Sequence, residues 1–153
     1  MKGEHAKRLD EQDHRALALW AADCAERVLP YFEEKYPKDD RPRKAIEAGR
    51  AWVRGEMAMT EARAAAFAAH AAARDATDAA ARSAARAAGH AAATAHVAAH
   101  ARHAAAYAVT AAVDAGVTAA TGVNLRPQWA TDLRPRWASE MASLRMSLPA
   151  KMK

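Results

Sequence analysis

From Ala62 to Ala115 the chain is alanine at 31 of 54 positions. Alanine gives up no side-chain entropy on entering a helix and is the best helix former, so a tract of this kind reads as helix. Only six Gly and six Pro occur in 153 residues, which leaves little material for turns or strands. The hydrophobic share of 52% comes from alanine, not bulk, with two Phe, three Tyr and four Trp in the whole chain. The expected fold is all-α: an Ala-rich antiparallel bundle of four main helices whose axes approach to about 8 Å. A chain of this length makes one domain, here residues 1–124, followed by a C-terminal arm at 125–153, helical or extended.

The first helix is expected from about residue 11 to 36, with Asp10 as its N-cap. Ala16, Trp20, Cys24 and Val28 recur every four residues as an apolar stripe with Leu17 and Ala21 beside it, and Pro30 is expected to kink or restart the helix. A second helix follows Asp40, with Pro42 in its first turn and Ile46, Gly49, Trp52 and Val53 facing inward. Thr60 is the expected cap of a third helix, which ends at the polar break Asp75–Asp78. From Asp78 a fourth helix of roughly ten turns is expected to run unbroken to about Asp114, before Gly116 and Gly122.

The arm carries a repeat, "LRPQWATD" then "LRPRWASE", in which Arg126 and Trp129 recur as Arg134 and Trp137. It holds 6 of the 23 Lys+Arg and 2 of the 18 Asp+Glu, leaving 17 against 16 in residues 1–124, so the net charge of +5 resides mainly there. These four residues either lie on the bundle or clasp a partner or a second copy of the chain. Nucleic acid is an unfavoured partner, confined to the arm. Cys24 stands alone and excludes an internal disulfide, and "MKGEHAKRLDEQD" has no apolar signal core. His96, His100, Arg102 and His103 interrupt the Ala-rich stretch that could otherwise suggest a membrane span. The expected location is the cytoplasm.

Projected at 100° per residue, Arg82, Arg86, His90, His96, His100, His103 and Tyr107 share an arc of about 140° on the fourth helix. Arg63, Phe67, His70 and Arg74 lie within about 60° on the third. Three readings remain open: the stripes face water while alanine packs; they form an Arg/His surface for an acidic or phosphorylated partner; or imidazoles at i, i+3 and i+4 converge on a divalent transition metal, with His96, His100, His103 and His70 as the set. No metal or other cofactor is favoured, since "HEXXH" is absent and a single Glu-x-x-His occurs, at Glu11 and His14. Nucleophile-elbow, phosphate-loop and dinucleotide signatures are missing too. The balance leans away from an enzyme.

"LWAADCAERVLP", "DDRPRKAIEAGRAW" and "RAAGHAAATAHVAAHA", within residues 13–108, carry a resemblance. With their odd polar residues at fixed places, they resemble the immunity-five-like family, small all-helical proteins of bacterial toxin/immunity systems. The LRPxW repeat lies outside these elements. The resemblance implies a protein that neutralises a toxin by direct binding. The expected function is therefore non-catalytic binding of a toxin through the Arg/His-lined helix faces or the Trp/Arg arm. The alternative is a small helical enzyme or metal-binding protein with a His/Arg-lined pocket between the third and fourth helices.

Overall fold

In the computed structural model, which describes residues 2–117, the chain forms five α-helices: α1 (Lys2–Glu33), α2 (Arg41–Val53), α3 (Met59–Asp75), α4 (Ala79–Ala93) and α5 (His100–Val117). The described residues contain no strand. Arg126, Trp129, Arg134 and Trp137 of the arm lie outside the described residues.

The helix at the centre is α4, packed against all four others. It meets the requirement for such a position by being small and apolar almost all round: ten of its fifteen residues are buried, eight of them Ala, with Ser83 and Gly89. A helix clad in alanine lets its neighbours approach closely. At Gly49 of α2, an added Cβ would already stand 3.4 Å from the Ala91 carbonyl oxygen of α4. Bulk enters the core mainly from α1, through Leu17, Val28, Leu29 and Phe32, with Ile46 of α2 and Val109 of α5.

The apolar stripe of α1 is turned from the expected one. Cys24 and Val28 are buried, but Trp20 is half-buried and Ala16 exposed, and Leu17 and Ala21 take the inward places. Asp10 lies inside α1, since the helix extends back to Lys2, and Pro30 neither ends nor restarts it before Glu33. In α2, Ile46 and Gly49 are buried as expected, Pro42 in the first turn is buried too, and Trp52 and Val53 are half-buried. Asp40 occupies the N-cap position without capping; its carboxylate pairs with Lys44 at 3.2 Å. Gly55 then turns the chain with a φ of +75°, a conformation glycine adopts without a Cβ penalty. The cap of α3 is Ala58, not Thr60. The polar break between α3 and α4 falls where expected, and Asp78 caps α4 by accepting from the Ala81 N–H at 3.0 Å.

One expected helix is two. The run from Asp78 to Asp114 breaks at residues 94–99, and its halves, α4 and α5, fold back to pack on each other. Alanine propensity within this linker favours helix, so the cause is tertiary. His14 of α1 uses its Nε2 to hydrogen-bond the Thr94 carbonyl, which occupies the acceptor a continuing helix would offer to residue 98. Thr94 itself is fully buried, and its hydroxyl donates to the His90 carbonyl at 2.9 Å. The next amides tighten into i to i−3 bonds, Ala95 to Ala92 and His96 to Ala93, and the helix ends.

Candidate binding face

The fold-back of α5 onto α4 gathers imidazoles from three helices around one ring. His90, near the C-terminal end of α4, has His70 of α3 edge-on at 4.9 Å between centroids and 72° between planes. His100 and His103 of α5 lie at 5.1 and 5.2 Å, and Tyr107 stacks on it at 5.3 Å and 8°. The Nδ1 atoms of His90 and His100 are 3.0 Å apart and share a hydrogen bond. His70, His90, His100 and Tyr107 are half-buried, while His103 is exposed. His96, expected on the same stripe, is exposed in the linker and makes no ring contact with this group.

Room for His70 comes from α4 itself. A Cβ placed on Gly89 would stand 2.6 Å from the His70 Cε1 and 2.9 Å from its Nδ1, so the imidazole rests on bare helix backbone. That Nδ1 is buried and, among the described residues, has no hydrogen-bond partner. Burial is the main cause that lowers the pKa of all three inner imidazoles. For His90 burial, followed by the charges of His70, His100, His103 and Arg86, lowers it to about 3. For His70 burial is followed by Arg86, His100 and Arg74, and for His100 by His103 and His96. Among the described residues the charged groups acting on these rings are basic. At neutral pH the inner imidazoles are therefore neutral, each with one donor and one acceptor.

Arginines frame the cluster. Arg63 and Arg74 are exposed on α3, and Arg63 sets its guanidinium 5.4 Å over the ring of Phe67, which is 60% exposed. Arg86 is half-buried on α4. Arg82, exposed on the same helix, donates to the Ala76 and Thr77 carbonyls at 3.3 Å and so closes the C-terminal end of α3. Among the described residues none of these four arginines has a carboxylate within 4 Å. The arginines of α2 and its flanking turn behave oppositely: Arg41 holds Asp39 and Asp75, Arg43 holds Glu33, Arg50 holds Asp23 and Glu26, and Arg54 holds Glu56. Arg41 and Arg43 are thus occupied by the protein's own acids.

Of the residues singled out in the sequence, Arg63, His70, Arg74, Arg82, Arg86, His90, His100 and Tyr107 come from α3, α4 and α5. His103 belongs in the ring group, and Gly89 makes it possible. The sequence carries a signal for Gly89, since it projects onto the same arc as the histidines. As to metals, among the described residues no group of three or more His, Cys, Asp or Glu side chains is arranged to hold an ion. Cys24 is buried in the core between α1 and its neighbours.

The fold and the face together define a small all-α protein packed on alanine, with an Arg/His surface assembled from three helices. The model of the family described as Imm-5 like putative immunity protein matches residues 7–143, and the chain belongs to that family. The match reaches further at both ends than residues 13–108 and takes in the LRPxW repeat. Membership gives an immunity-type role and, in general terms, a protein toxin as partner. No curated protein and no solved structure matches the chain. No helix among the described residues is long and apolar enough to cross a membrane.

Proposed function

We propose that this protein neutralises a toxin by direct, non-catalytic binding, and that the face built from α3, α4 and α5 receives an acidic surface of that toxin. The observation that carries the reading is the asymmetry of the ion pairs. The basic side chains of α2 are matched with carboxylates, whereas Arg63, Arg74, Arg82 and Arg86 have none among the described residues. Unmatched guanidinium groups beside an exposed aromatic ring are the side chains that dominate interface energies when a partner desolvates them. Carboxylates on the partner would find charge-assisted bonds there without first breaking an internal pair.

The test is co-expression with the product of the neighbouring gene. The expected result is rescue of growth and co-purification of the two chains. Loss of both in Arg63→Glu/Arg74→Glu, with helicity and thermal stability unchanged, supports the face. Failure of the parent chain to bind or rescue overturns the functional reading. Full rescue by the double variant overturns the face.

A further inference from the structure

The packing around His90 is unusual in having bases on every side. Facing the inner imidazoles are His70 and Arg74 on α3, Arg86 on α4, His103 and the Tyr107 ring on α5, and His96 from the linker. Among the described residues no acid is found acting on them. The hydrogen bond between the Nδ1 atoms of His90 and His100, 3.0 Å long, requires a lone pair on one of the two rings. If both became imidazolium, two donors and two like charges would be left at that spacing. A proton on the buried Nδ1 of His70 would find no acceptor either.

We propose that the His70–His90–His100 cluster is an acid-sensitive latch, which holds the first half of α5, His100–Tyr107, against α3 and α4 while its rings are neutral and gives way as they take up a proton. The latch depends on the packing alone, not on the toxin. Because the candidate face draws residues from all three helices, its assembly becomes dependent on pH.

The sign follows from the direction of the shifts. His70, His90 and His100 all titrate below the ordinary 6.5 when packed, and return towards it when α5 opens. Opening therefore takes up protons, and the closed form loses ground as pH falls from 6.5 towards 3. One proton taken up shifts the closed-to-open ratio by about tenfold per pH unit. Solvent screens these half-buried rings, so the expected change is about tenfold in total between pH 6.5 and 5.

Amide hydrogen exchange of the full chain at pH 7.5, 6.0 and 5.0, corrected for intrinsic rates, tests this. The expected result is a loss of protection of about tenfold in residues 100–107 with little change in residues 17–32 of α1. His90→Phe keeps a ring to stack on Tyr107 but cannot titrate, and is expected to flatten the response; His96→Gln is expected to leave it intact. An NMR titration of the parent chain adds a reading that needs no variant: in the closed form, which stays the major one, the His90 ring is expected to stay neutral at pH 5. A His90 titrating at or above 6.5 overturns the proposal. So does protection in α5 that is the same at pH 7.5 and 5.0, or that is lost together with that of α1.

Discussion

Gly89 of α4 and His70 of α3 are in direct contact, imidazole against helix backbone, so that a Cβ at position 89 would fall 2.6 Å from the His70 ring. Glycine within a helix is ordinarily a loss of about 1 kcal/mol relative to alanine. Here the absence of a side chain is what seats His70 next to His90.

Gly89→Ala is therefore expected to lower stability by about 1–2 kcal/mol, the overpacking outweighing the gain in helix propensity. In a His70→Ala background the same substitution is expected to raise stability by up to about 1 kcal/mol. Urea denaturation of the four proteins in this cycle gives both numbers, and an effect of one sign in both backgrounds would contradict the contact.

His14→Phe preserves a ring against Trp52, now at 4.8 Å between centroids, and removes the bond to the Thr94 carbonyl. A loss of about 1 kcal/mol is expected. Faster amide exchange confined to residues 94–99 would locate it at the linker.

Asp40 and Asp78 both precede helices, but only the Asp78 carboxylate accepts from a backbone N–H of its own first turn. Asp78→Ala is expected to cost about 1 kcal/mol. Asp40→Ala, which loses an exposed pair with Lys44, is expected to cost less than about 0.5 kcal/mol. Equal thermal shifts would contradict the distinction.

Acid acts on the protein in two windows. Below the imidazole step lie carboxylates held under their usual range: Glu26 chiefly by its hydrogen bonds to Arg50, and Asp39 by those to Arg41. Their contribution is present above about pH 4.5 and lost as pH falls through the lowered values. Glu26 is exposed and Asp39 half-buried at the surface, and solvent screens both pairs, so each is worth about 1 kcal/mol or less. Arg50→Met is expected to blunt the pH dependence of stability below pH 4.5 and leave that between 5 and 6.5 unchanged, as followed by thermal melts across the range.

Local chemistry made the helical class legible: alanine from Ala62 to Ala115, Pro42 in a first turn, and Asp78 as a cap all act within a few residues. The break after Ala93 was not legible, because its cause is His14, eighty residues away, taking a backbone carbonyl. The same break changes the meaning of the histidine stripe. His90 and His100 are ten residues apart on a continuous helix, about 15 Å, yet their Nδ1 atoms are 3.0 Å apart after the chain folds back.

The role of the unmatched arginines is read from the affinity of the purified chain for the neighbouring gene's product. Calorimetry at low and high salt, with the parent chain and with Arg63→Glu/Arg74→Glu, is the decisive form. Binding that weakens with salt and falls at least a hundredfold in the double variant is the expected result. Binding of equal strength in both chains, or insensitive to salt, would contradict it.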